Sequence, residues 1–92
     1  MVFEWDENKN QANHRKHGFC FEVAAKVFED PLATIQPDPG NHEEDRWRIT
    51  GRIGAETIIL VVYVIRGKDS DLFRLISARK ATNHERRKYQ AF

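Results

Sequence analysis

The chain has 92 residues, of which 40% are hydrophobic and 32% charged, with ten aromatic residues and a net charge of +1. That length points to a single domain, residues 1–92, with one modest core. The aromatic content excludes a disordered chain, and the charge excludes a membrane protein. The small net charge hides a split. Residues 1–45 carry four basic and ten acidic side chains, and residues 46–92 carry eleven basic and four acidic ones. Either a basic surface meets an anionic partner, or the two halves attract each other in the fold.

The N-terminus lacks the basic region and apolar stretch of a signal peptide. Phe3 and Trp5 flank a polar Glu4, which predicts a short initial strand. Asp6 is placed as a helix N-cap. The helix runs from Glu7 to about His17. Arg15, Lys16 and His17 suit the negative end of its dipole, and Gly18 suits a left-handed cap. Ala12 is its only apolar residue, so the helix is expected to lie on the surface and pack weakly. Cys20 stands alone, which allows no internal disulfide and predicts an intracellular, cytoplasmic protein. It also precedes a helix start, but no partner base is evident.

Phe21, Ala24, Ala25, Val27 and Phe28 have helical spacing, predicting a second helix from about Phe21 to Glu29 that Pro31 stops. Leu32 to Ile35 reads as a strand, and Gln36 to Asp45 as a surface loop. Trp47, Ile49, Gly51 and Ile53 then alternate with Arg46, Arg48, Thr50 and Arg52. This is a strand with one apolar and one largely cationic face. Gly54 and Ala55 fit a tight turn. Thr57 to Ile65 is apolar at nearly every position, which places it mid-sheet. Its apolar run is too short for the roughly 17–25 residues of a membrane helix.

Arg66 to Ser70 reads as a turn, and Leu72 to Arg79 as the last strand. Thr82 and Glu85 form a capping box for a basic terminal helix that ends in Tyr89 and Phe92. A helix with so little apolar face rests on a partner or frays. The expected fold is α+β: two N-terminal helices, a three- to four-stranded antiparallel sheet and a C-terminal helix.

The strongest chemical signal is Arg74, Arg79 and Lys80, followed by Arg86, Arg87 and Lys88. Guanidinium forks suit phosphate oxygens. Ideal alternation puts Arg74 with Ile76 and Ala78 on one face and Arg79 on the other. A bulge, or the end of the strand, would bring the two arginines together. The bland alternative pairs these cations with Glu7, Glu22, Glu29 and Asp30. A second signal is Lys9, His14, Lys16 and His17 on the first helix. Metal-free ribonuclease chemistry needs a base, an acid and cations, and His, Lys and Arg fill those roles. For His17 the alternative is a helix-end residue serving the dipole. No metal-ligand spacing is recognised, so no metal or cofactor is expected. Tyr63 reads as a core tyrosine.

These residues together are familiar. The run from Phe3 to Lys9, then Asn13, Lys16 to Gly18, Phe21 and Glu22, resembles the BrnT family of toxins. The resemblance continues through Asp30-Pro31, Arg46, Ile49, Gly51, Arg66, Arg74, Ile76 to Arg79, and Glu85-Arg86, and so covers nearly the whole chain. It implies a RelE-like ribonuclease toxin of a type II toxin–antitoxin pair, which slows translation until its antitoxin masks it. It also implies a complex of two toxins and two antitoxins, with DNA bound only through the antitoxin. Carried over by position, Lys9, His17, Arg46, Arg66, Arg74, Ser77 and Arg79 become the candidate site. Lys80 joins them as an RNA contact. Arg86, Tyr89 and Phe92 on the terminal helix are the expected partner contacts. Cys20 replaces a common capping residue, which implies a weaker helix cap. The competing expectations are a non-catalytic RNA-binding module acting by occupancy, and a module that binds the antitoxin and tunes operon repression.

Overall fold

A computed structural model describes residues 1–40 and 43–91. Helix α1 spans Glu7–His17. Asp6 is extended, and its carboxylate accepts the Asn8 N–H at 2.8 Å and the Lys9 N–H at 3.4 Å. Gly18 ends the helix at φ +83°, returning its N–H to the His14 carbonyl. Both caps are where the sequence placed them.

The docking of α1 differs from expectation. Ala12 is exposed, and the buried residues of the helix are Asn10 and Asn13. Asn10 accepts the Phe21 N–H at 2.7 Å and donates to Glu22 at 2.9 Å. Asn13 donates to the Phe19 and Ala78 carbonyls and accepts the Ala78 N–H. This helix is seated by amide hydrogen bonds rather than by an apolar stripe.

The second helix is also different in kind. Only Phe21–Ala24 is α-helical (α2), and Ala25–Glu29 tightens into a 3₁₀ helix. Cys20 sits at the N-cap with no side-chain capping bond. Asp30, before Pro31, is forced to an extended ψ of 114°, which ends the helix.

Five strands form one mixed sheet: β1 Val2–Glu4, β2 Thr34–Pro37, β3 Trp47–Arg52, β4 Ile58–Arg66 and β5 Leu72–Lys80. Their order is β1-β5-β4-β3-β2, with β1 parallel to β5 and the other pairs antiparallel. The expected sheet of three or four antiparallel strands is corrected on both counts. Three residues carry too little alternation to announce that β1 adds a parallel edge. β2 starts later than Leu32, because Asp30 holds the Leu32 and Ala33 N–H groups in a turn. As an edge strand it tolerates Pro37.

The core lies on one face of the sheet. Ile49, Ile59, Val61, Tyr63, Leu75 and Ala78 meet Phe21, Ala24 and Val27 from the helical layer. Tyr63 stacks parallel on Phe73 at 5.6 Å, and Phe28 meets both edge-on.

A bulge in β5 decides what the other face carries. Val62 pairs with Ser77, but Tyr63 pairs with Leu75, so Ile76 is the extra residue. The phase of alternation flips there. Ala78 joins Leu75 in the core, not Arg74 as ideal alternation has it. Arg79 joins Arg74 on the opposite face.

Helix α3 spans Asn83–Gln90 and opens with the full Thr82–Glu85 capping box. It is not left to fray, because Tyr89 is buried against Ile58 and Ala81. The Tyr89 hydroxyl donates to the Asp30 carboxylate. Phe92 lies outside the described residues. No helix among the described residues is long and apolar enough to cross a membrane.

Candidate functional site

The sheet face away from the helices is built in cross-strand rows. Arg79 stands beside Leu60 and Thr50; Ser77 stands beside Val62 and Arg48. Arg74 lies between Val64 on β4 and Glu4 on β1. Residues opposite one another share a face, so Arg48, Arg74, Ser77 and Arg79 look the same way.

At one end of this face is an open cleft of about 490 Å³. Lys9 of α1, Arg46 just before β3, Arg66 at the end of β4 and Arg74 of β5 all line it, with Glu43 and Glu44. Four of the predicted site residues therefore converge from four parts of the chain. Arg79 stands further along the same face. Ser77 lies between them, half-buried.

His17 is not with them. It is exposed in the last turn of α1, outside the residues that line the cleft. Lys80 and Arg86 line a different cleft, beyond the far end of β5. Tyr89 is buried in the chain's own packing.

The arginines have carboxylate partners, but not the helical ones expected. Arg74 pairs with Glu4 at 3.1 Å and Arg48 with Asp38 at 2.9 Å. Arg66 forks onto both oxygens of Glu44. Arg79 forks onto Glu85 at 2.8 and 3.0 Å. Among the described residues, Glu7 and Glu22 instead hold Asn10. Asp30 receives Tyr89 and the Arg52 N–H.

Two of these contacts shift the ionisation of both partners. The Arg79 fork holds the Glu85 carboxyl down at about 2, helped by the Thr82 N–H and opposed by burial. The same bond pushes Arg79 up. The hydrogen bond from Arg66 lowers Glu44 and raises Arg66 in turn.

Sequence reasoning missed several contributors. Arg48 was visible as part of the cationic face of its strand but was not assigned. Glu4 gave no signal, because its role needs the parallel register of β1. Asn10 and Asn13, three apart on a polar helix, share one face, and that spacing was a readable sign of docking.

Guanidinium groups on an open sheet face, with a lysine beside them, fit a polyanion better than a small apolar ligand. The family model of the ribonuclease toxin BrnT of type II toxin–antitoxin systems matches residues 5–85. The chain belongs to the BrnT family. It is similar in structure to the Brucella abortus ribonuclease toxin BrnT, at a TM-score of 0.64 and 26% identity. That similarity covers 90% of this chain and 100% of the Brucella protein. No curated protein matches the chain. As a toxin of a type II pair, a BrnT protein has an antitoxin partner. The span matched by the BrnT model contains Lys9, Arg46, Arg66, Arg74, Ser77 and Arg79 and ends at Glu85, the carboxylate that holds Arg79.

Proposed function

We propose that this BrnT-family chain is a metal-independent endoribonuclease that inhibits translation. The supporting observation is the convergence of Lys9, Arg46, Arg66 and Arg74 in one cleft, with Arg79 in phase on the same face. The ribose 2′-oxygen attacks the adjacent phosphorus. The new 2′-O–P bond forms as the P–O5′ bond breaks, leaving a 2′,3′-cyclic phosphate and a 5′-hydroxyl. Arg74 and Arg79 hold the scissile phosphate and stabilise its developing charge. Arg46 and Arg66 orient the backbone on either side. Lys9, inside the cleft, serves proton transfer in preference to His17, which stands outside it. Glu4, Glu44 and Glu85 hold the Arg74, Arg66 and Arg79 guanidinium groups until phosphate oxygens displace them. The cognate antitoxin neutralises the toxin in a two-to-two complex and carries the DNA-binding function.

The test is cleavage of total RNA by antitoxin-free protein in EDTA. Wild type cleaves, and Arg74→Ala and Arg79→Ala do not, while His17→Ala retains activity. The same arginine variants no longer arrest growth at equal expression. RNA bound but never cut, with or without translating ribosomes, would replace this reading with action by occupancy.

A further inference from the structure

A second cleft, of about 710 Å³, lies past the far end of β5. Arg52, Lys80 and Arg86 line it, with Glu56 and Asn83. Its guanidinium groups are held differently from those of the first cleft. Arg52 donates to the carbonyl of Ala55, and Arg86 donates to the carbonyl of Glu56 at 3.4 Å. Both acceptors belong to the turn between β3 and β4. A carbonyl orients a guanidinium without cancelling its charge. Arg48, Arg66, Arg74 and Arg79 each meet a carboxylate instead. Three cations thus face a single lining carboxylate, Glu56. Asp30, outside the lining, also faces Arg52 and offsets part of its charge, so Lys80 and Arg86 are the least compensated cations of the cleft.

We propose that this cleft is a second phosphate subsite, which grips the backbone of the same single-stranded RNA several nucleotides from the scissile bond. The inference rests on the ribonuclease reading above. From Arg74 to Lys80, β5 rises about 20 Å at ~3.3 Å per residue, the distance the strand bridges between the clefts. Arg79 stands on the route. A flexible single strand follows a twisted, bulged β-strand, and a rigid duplex does not. Guanidinium groups that donate to neutral carbonyls are free to exchange them for phosphate oxygens. An acidic protein segment is the competing occupant, and the test separates it.

The experiment measures binding of uncleavable 2′-O-methyl oligonucleotides to the full chain over a range of salt. A dinucleotide fills the first cleft alone, and an octanucleotide reaches both. Wild type binds the octanucleotide more tightly. The double variant Arg52→Gln/Arg86→Gln loses about tenfold for the octanucleotide, and its salt slope falls by about 1.4, the value for two phosphate contacts. Its dinucleotide affinity is unchanged. Because those arginines also tie down a turn, Glu56→Gln is a second, independent variant, expected to bind the octanucleotide two- to threefold more tightly. Wild-type affinity and slope in the double variant would overturn the subsite and leave the ribonuclease reading standing. So would sensitivity of an oligoglutamate peptide, but not the octanucleotide, to the same changes. Failure of wild type to bind either oligonucleotide would overturn both.

Discussion

Replacing Asn13 with Ala should cost this small protein a large part of its stability. β1 pairs with β5 only as far as Arg74. The N–H and C=O of Ala78 point beyond that pairing, and the Asn13 amide takes both, at 3.0 and 2.8 Å. It also donates to the Phe19 carbonyl at 2.9 Å. Ala78 is fully buried, so truncation leaves two backbone groups without partners. At about 1–3 kcal/mol each, the loss is about 2–6 kcal/mol. A domain of this length has roughly 5–14 kcal/mol in total. Urea unfolding should show the midpoint falling by about 2 M with an unchanged slope. Asn13→Asp keeps the acceptor for Ala78 but turns a carboxylate toward two carbonyls. It should be at least as unstable at neutral pH and recover in acid. An Asn13→Ala protein within about 0.5 kcal/mol of wild type would refute the claim that this amide completes the sheet edge.

Other expectations follow from single contacts. Glu85 has its folded pKa near 2, below its ordinary 4.5, so its stabilisation is present above pH 4.5 and is lost as pH falls toward 2. Over that window wild type should lose more stability than Glu85→Gln in pH-dependent urea titrations. A Cβ at Gly51 would lie 2.8 Å from Val27 Cγ2 and 3.0 Å from Ala33 Cβ. Gly51→Ala should therefore cost about 1–3 kcal/mol by thermal unfolding. Tyr89→Phe removes the hydroxyl bonded to Asp30 and should cost about 1–2 kcal/mol. Amide exchange should quicken in α3 before it does in β4.

Legibility in the sequence depended on how local each cause was. Asp6, Gly18 and the Thr82–Glu85 box act within a few residues, and they gave the limits of α1 and the start of α3. The apolar run of β4 and the alternation of β3 are period-two signals and read clearly. What failed was non-local. The parallel pairing of β1 depends on a strand seventy residues away, and no local pattern encodes it. The 3₁₀ turn after Ala24 keeps nearly the same apolar spacing as an α-helix. In the site, the cation types were legible and their partners were not. Glu4, Glu44 and Glu85 reach their arginines from an edge strand, a loop and a helix end. The bulge at Ile76 could be named as a possibility, but only the pairing of Val62 with Ser77 and Tyr63 with Leu75 fixes it.

The pairing of the first strand with the last has a consequence for how the molecule is made. Val2 finds Leu72, and Glu4 finds Arg74, only when most of the chain exists. During synthesis the N-terminal strand and α1 wait without the edge that seats them, since Asn13 also needs Ala78. Closing so long a loop is slow relative to forming the local β3–β4 hairpin. The hairpin therefore forms ahead of the cleft. Arg66 and Arg74 meet within the local β4–β5 hairpin, and Lys9 joins them only when α1 docks on β5. A nascent or prematurely ended chain that stops short of β5 has no floor for its cleft. The topology itself ties assembly of the cleft to completion of β5.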